Sequence, residues 1–217
     1  MIRCPLGHEN PEERRFCSQC QRPLHGQQKL AKTADIVFCF DTTGSMGGQI
    51  EGLKAHAVDF AQKLNEASVH FRLGLVDFRD LRIREWCKVV VPLTENAEEF
   101  RTGIAGMSAD GGGDAPESSL DAIRLALEME GYRGTVRKYI VVVTDAPPLV
   151  PDQAGGSVDD LIRTVMGDQQ ARLMIVSRSY PEWDTVKKKM GSRAQLIPIT
   201  GEFKEILDRV VGGTKVG

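Results

Sequence analysis

Ile36-Val37-Phe38-Cys39-Phe40-Asp41-Thr42-Thr43-Gly44-Ser45 decides the fold. Five apolar residues in unbroken succession, followed at once by polar and turn-forming residues, describe a strand buried on both faces that runs into a loop. Beyond it, Ile50, Leu53, Ala57, Phe60 and Leu64 recur at spacings of three and four, which predicts a helix over 47–67. Val69, Phe71, Leu73 and Leu75 then alternate with His70, Arg72 and Gly74, the pattern of a half-exposed strand. A further strand over 86–92 follows a link through Asp77-Phe78-Arg79-Asp80 that is too short for a helical crossover, so this pair runs antiparallel.

Downstream the alternation continues. Thr94 is placed to cap a helix over 95–105, and Pro116 to open another in which Leu120, Ile123 and Leu127 share a face. Residues 139–144 form a second wholly apolar strand, and it too ends at an acid, Asp145. Leu161, Ile162 and Val165 predict a helix, 173–176 and 196–199 two strands, and Phe203, Ile206, Leu207, Val210 and Val211 a final amphipathic helix. The class that follows is α/β: a doubly wound, mostly parallel sheet covered on both faces, with one antiparallel edge strand.

A chain of 217 residues holds one domain of this kind and a small appendage. With 41% hydrophobic and 27% charged residues it has the balance of a globular chain, not of a disordered or membrane-spanning one. No run approaches eighteen apolar residues, and Met-Ile-Arg-Cys-Pro lacks the pattern of a signal peptide, so the expected location is cytoplasmic. A formal charge of −2 provides no general basic field for duplex nucleic acid.

The cysteines divide into two groups. Cys39 and Cys87 lie in apolar runs and read as small buried hydrophobes. Cys4, Cys17 and Cys20 crowd the first twenty residues. In a reducing compartment, Cys17-Ser-Gln-Cys20 is a metal clip sooner than a disulfide, and its loop-like flanks do not suit a thioredoxin-type redox motif. Cys4-Pro-Leu-Gly-His8 supplies the other half of a four-ligand zinc site made of Cys4, His8, Cys17 and Cys20, with His25 as the other candidate for the fourth ligand. So short a segment lacks the surface to fold alone, and metal ligation is the usual remedy. These residues resemble the short zinc ribbons at the ends of many prokaryotic proteins, although those usually carry Cys-x-x-Cys in both halves. The expected organisation is a zinc-ribbon-like module at 1–25, a polar linker at 26–33 and the α/β domain at 34–217.

Ligands of doubly wound sheets bind beyond the carboxyl ends of the strands. Asp41, Thr43 and Ser45 place one carboxylate and two hydroxyls in a single turn, and Asp145 adds a carboxylate from another strand end. Hard oxygen donors of this kind suit Mg2+ or Mn2+. The loop Ser108-Ala-Asp-Gly-Gly-Gly-Asp114-Ala-Pro-Glu117 provides a third arm, and Asp77 and Asp80 are candidates for the rim.

Asp41-Thr42-Thr43-Gly44-Ser45, Gly111 to Glu117 and Val143-Thr144-Asp145 resemble, in order, the three loops of the metal-ion-dependent adhesion site of von Willebrand factor A domains. The resemblance covers roughly 34–212. It implies a metal held by Asp41, Thr43, Ser45, Asp114 and Asp145, with Asp114 standing where the family usually has threonine. A third carboxylate holds the ion more firmly and weakens its pull on a partner's carboxylate.

No nucleophile-elbow or phosphate-loop motif is present, and no histidine adjoins the acidic loops in sequence, so an enzyme is not expected. The expected function is an intracellular adaptor that docks a protein partner at the metal-bearing face, an acidic residue of the partner completing the shell. The alternatives are a metal-dependent phosphoester hydrolase, and nucleic-acid binding through Arg3, Arg14, Arg15 and Arg22 of the ribbon, whose charge Glu9, Glu12 and Glu13 largely offset.

Overall fold

In the apolar strand of the sheet, alternation sends odd and even residues to opposite faces, and each face needs its own cover. In the computed structural model both faces are covered. The residues described are 2–3, 8–10, 18–19, 32–66, 69–80, 86–111, 115–199 and 203–215. The chain forms two compact units, Met1–Lys32 and Thr33–Gly217.

In the first unit, β1 (Ile2–Arg3) pairs antiparallel with β2 (Glu9–Asn10). The buried Asn10 side chain donates to the His8 carbonyl at 2.9 Å and accepts from the Ser18 amide at 2.9 Å. Cys4, Cys17, Cys20 and His25 lie outside the described residues.

In the second unit β3 (Lys32–Asp41) runs through the middle of a six-stranded sheet. With β4 (Val69–Phe78), β5 (Cys87–Thr94), β6 (Arg137–Val143), β7 (Ala171–Ser177) and β8 (Ala194–Pro198), the order is β5-β4-β3-β6-β7-β8. The pairs β3–β6, β6–β7 and β7–β8 are parallel, whereas β5 lies antiparallel to β4 at the edge. Ile36, Phe38 and Phe40 enter one core together with Ile50, Leu53 and Phe60 of α1 (Gly47–Glu66), Phe100 and Ile104 of α2 (Ala97–Ala105), and Ile206, Leu207 and Val210 of α6 (Phe203–Lys215). Val37 and Cys39 enter the other, under α3 (Ser119–Glu128), α4 (Val158–Gly167) and α5 (Pro181–Met190). This is the mostly parallel α/β sheet with one antiparallel edge strand that the apolar patterning predicts.

At the amino-terminal part of β3, fully buried Asp35 accepts from the Arg133 backbone amide at 2.9 Å and from its Nε at 2.8 Å. Cys39 is fully buried, as its apolar run implies, but Cys87 is only half-buried.

Two local expectations are corrected. Asn96, not Thr94, caps α2: its Oδ1 accepts from the Glu98 amide at 3.0 Å, while Thr94 still pairs with Leu73 in the sheet. Pro116 does not open α3, because Glu117 is held against the opposite loop, its amide on the Pro147 carbonyl at 3.0 Å and its carbonyl on the Leu149 amide at 2.7 Å. The helix starts at Ser119. Between β7 and β8 the chain forms α5: Trp183, Val186 and Met190 bury its inner face, Lys187 Nζ donates to the Ala194 carbonyl at 2.8 Å, and Lys189 pairs with Asp159.

Candidate metal centre

After β3 the chain passes to α1 on one face of the sheet, and after β6 it passes to α4 on the other. A crevice must open between the carboxyl ends of these neighbouring strands. Their register pairs Phe40 with Val143, so Asp41 and Thr144 leave the sheet side by side. Thr144 Oγ1 donates to Asp41 Oδ2 at 2.6 Å and accepts from the Ala146 amide at 3.1 Å. Asp41 Oδ1 accepts from both the amide (2.9 Å) and the hydroxyl (2.6 Å) of Thr43. Both oxygens of a fully buried carboxylate are therefore oriented by hydroxyls.

From Thr43 the row of oxygens continues outward. Thr43 Oγ1 lies 3.5 Å from Ser45 Oγ, and Ser45 Oγ donates to Asp145 Oδ1 at 3.0 Å. Gly44 and Gly47 bracket this short turn, and the Gly44 amide donates to the Gly111 carbonyl at 3.0 Å, tying the first loop to the second. A β-carbon at Gly44 would lie 3.3 Å from that carbonyl oxygen, so the close approach favours glycine. The Asp110 amide on the Thr42 carbonyl, at 3.1 Å, makes a second tie.

The crevice has a volume of about 480 Å3, and Thr43, Ser45, Glu117, Asp145, Arg178 and Tyr180 are among its lining residues. Tyr180 donates its phenolic proton to the Asp145 carbonyl at 2.6 Å, and an exposed Arg178 guanidinium lies 3.7 Å from Asp145 Oδ2. Burial pushes the Asp41 carboxyl above the usual carboxylate range. The hydrogen bonds from Thr144 and Thr43 pull it back, and Asp145 adds a further upward push.

The donor set fits a small hard cation. Metal-to-oxygen distances of about 2.0–2.1 Å in an octahedron require neighbouring donors roughly 2.8–3.0 Å apart. The steps Asp41–Thr43, Thr43–Ser45 and Ser45–Asp145 of 2.6, 3.5 and 3.0 Å bracket that spacing. A divalent cation would also relieve the cost of ionising Asp41 beside Asp145. Among the described residues no group of three or more His, Cys, Asp or Glu gathers at one point, so the described part of the site is two carboxylates and two hydroxyls. Asp114 lies outside the described residues.

Of the five residues read from the sequence, Thr43, Ser45 and Asp145 line one crevice, and Asp41 stands fully buried behind it, bonded to Thr43. Asp77 sits behind the first loop instead of on the rim, accepting from the Thr42 hydroxyl. Burial raises its carboxyl above the usual range, against the pull of Thr42, Arg79 and Lys88. Asp80 is buried and does not line the crevice. The patterning missed Thr144, Arg178 and Tyr180. Arg178 and Tyr180 follow the end of β7, and the rule that ligands gather beyond strand ends was the signal for them.

Residues 35–195 match the family model described as the von Willebrand factor A domain. The chain belongs to the von Willebrand factor A domain family. Among curated relatives of this domain, Homo sapiens hemicentin-1 is 32% identical over 132 residues, 58% of this chain and 2% of that protein. Mus musculus integrin beta-4 is 29% identical over 132 residues, 52% of this chain and 7% of that protein. Alpha-protein kinase vwkA of Dictyostelium discoideum is 25% identical over 121 residues, 55% of this chain and 19% of that protein. The von Willebrand factor A domain thus aligns with only a small fraction of each relative's length. The crystal structure of the SpRpn10 VWA domain shares the fold, with a TM-score of 0.59 at 16% identity, covering 82% of this chain and 95% of that one.

Proposed function

We propose that this von Willebrand factor A domain is a non-enzymatic interaction module that docks a protein partner through a divalent cation held at the crevice. The observation that carries this reading is the row of side-chain oxygens from Asp41 through Thr43 and Ser45 to Asp145, drawn from loops 100 residues apart. Asp41, Thr43, Ser45 and Asp145 would hold Mg2+ or Mn2+, with Asp114 as the further donor from the second loop. The bound ion supplies a positive centre at the mouth of the crevice, able to accept a carboxylate oxygen from a partner.

Arg178 supports the same polarity, since its exposed guanidinium beside Asp145 presents a second positive group to an acidic side chain. The hydroxyls of Thr43 and Ser45 alternate with the carboxylates of Asp41 and Asp145 as a cation's donor set would, and docking accounts for that arrangement better than turnover.

The first unit is read as a structural zinc module held by Cys4, His8, Cys17 and Cys20. The Asn10 side chain supports this, because it ties His8 to Ser18 and so links the two halves that would share the ion. A zinc thiolate site is at home in a reducing compartment, which favours a cytoplasmic location. Among the described residues no helix is long and apolar enough to cross a membrane.

The test is calorimetric titration of Mg2+ into the wild type, Asp41→Ala and Ser45→Ala, followed by partner capture in Mg2+ and in EDTA. Saturable Mg2+ binding lost in Asp41→Ala, with capture that needs Mg2+, is the expected result. Capture that is the same in EDTA, or in Asp41→Ala, would overturn the docking role.

A further inference from the structure

The opposite end of the sheet carries a second cavity of different chemistry. β6, β7 and β8 begin there with Arg137, Ala171 and Ala194, and α6 passes over them. A basin of about 550 Å3 lies between them, within the size range of small-molecule sites, and four arginines line it: Arg137, Arg172, Arg193 and Arg209.

Sheet geometry explains the convergence. Tyr139 and Arg172 are register partners on β6 and β7, and residues two apart on a strand share a face, so Arg137, Tyr139, Arg172 and Met174 all point toward α6. Arg209 and Gly212 of α6, three residues apart, close the basin from above. A β-carbon built at Gly212 would meet nothing within 4 Å, so the helix leaves room there.

Among the described residues that line the basin there is no carboxylate. Arg193 is engaged with backbone carbonyls at the carboxyl end of α4, including that of Val165 at 2.7 Å, and Arg172 donates to the Gln169 and Ala171 carbonyls. Arg137 and Arg209 form no ion pair among the described residues. Asp168, the carboxylate that faces Arg172, is taken by Lys138 at 2.8 Å. Burial, then repulsion from Arg137 and Arg193, holds the Arg172 guanidinium below its ordinary value, as expected where like charges share one space. A chain with a formal charge of −2 concentrates four positive groups around one basin.

We propose that this basin binds a small ligand bearing a diphosphate or triphosphate group, held chiefly by Arg137, Arg172 and Arg209 with Tyr139 and Met174 behind it. Planar guanidinium groups bond phosphate oxygens in pairs, and three of them around one cavity match several adjacent phosphoryl charges better than a single carboxylate. The site is separate from the acidic crevice and does not depend on the metal reading.

The experiment is calorimetric titration of pyrophosphate, ADP and ATP in EDTA, so that no divalent ion can recruit the ligand to the acidic end. The wild type is expected to bind with a saturable isotherm that weakens as salt rises. Arg209→Gln and Arg137→Gln should each weaken binding by about tenfold or more, the usual worth of a charge-assisted hydrogen bond. Gly212→Leu, which fills the basin from a helical position with open space, should abolish binding while the circular dichroism spectrum and melting point are kept. Arg101→Gln, an exposed arginine on α2 paired with Glu98, serves as the charge control. Equal affinity for pyrophosphate and ADP assigns the site to the phosphate group alone, and tighter ADP binding adds a contact to the nucleoside. Either result supports the basin. No saturable binding of any of the three at millimolar concentration, or wild-type affinity in both Arg209→Gln and Gly212→Leu, would overturn it.

Discussion

Thr144→Val tests whether the acidic loops are organised from behind by the sheet. Valine keeps the shape of the side chain and removes the hydroxyl that donates to Asp41 Oδ2 at 2.6 Å and accepts from the Ala146 amide at 3.1 Å. Thr144 and Asp41 are fully buried and Ala146 nearly so, so water cannot replace either bond. A hydrogen bond to a charged group contributes about 1.5–3 kcal/mol, and an unsatisfied buried donor costs about 1–3 kcal/mol. The variant should therefore lose roughly 3–5 kcal/mol, which for a domain of this size lowers the melting point by about 6–20 °C. The sign with pH follows from Asp41. Its carboxyl is already raised by burial, and Thr144 is the strongest of the hydrogen bonds that favour its ionised form. A raised acid contributes stability at low pH and loses it as pH rises through the folded value, so the deficit of Thr144→Val should be larger at pH 8 than at pH 5. Freed from its orienting hydroxyl, the carboxylate should also bind Mg2+ about 10–100-fold more weakly, as other second-layer losses do. Urea unfolding in EDTA at the two pH values, then Mg2+ calorimetry, gives all three quantities, with Thr144→Ser as the variant that should recover most of the loss. Wild-type stability and wild-type Mg2+ affinity in Thr144→Val would refute the reasoning.

Four further outcomes are expected. Arg133→Met leaves the buried Asp35 carboxylate without its guanidinium and should cost about 3–5 kcal/mol in urea unfolding, part of which the double variant with Asp35→Asn recovers; additive costs would sink the pairing. Gly103→Ala puts a β-carbon 2.1 Å from Val91 Cγ2 and should destabilise by about 1–3 kcal/mol despite alanine's better helix propensity, and a neutral or stabilising thermal melt would contradict it. The Ser157 hydroxyl and amide hold the exposed Asp160 carboxyl at about 2, so its contribution is complete above the ordinary carboxylate range and is lost as pH falls through 2. Asp160→Asn should flatten the acid limb of the stability profile between about pH 4 and pH 2, measured by circular dichroism. Cys17→Ser should lose one equivalent of zinc by elemental mass spectrometry while the Thr33–Gly217 unit keeps its melting point, and undiminished zinc would remove Cys17 from the ligand set.

Patterning worked where burial is uniform or periodic. The strands at β3 and β6 announced themselves because a strand covered on both faces must be apolar at every position, and α1 and α6 because one stripe faces the core. It failed for α5, where three apolar residues stand among charged ones and the helix is held by Lys187 reaching the Ala194 carbonyl and by Lys189 pairing with Asp159 on α4. It misplaced the start of α3 because the bonds that keep Glu117 out of the helix come from Pro147 and Leu149, a connection without local signal.

The candidate site divides along the same line. Asp41, Thr43 and Ser45 lie within one turn, so their donor chemistry is a property of the local sequence alone, and so are the α/β class and the acids that close the two buried strands. The union of Ser45 with Asp145, the orientation of Asp41 by Thr144, and the gathering of Arg137, Arg172, Arg193 and Arg209 belong to the tertiary structure. They arise from the register of parallel strands joined by helical crossovers, which brings residues a hundred positions apart to the same end of a sheet. No local pattern encodes that register, because it is set by how two buried faces pack at once.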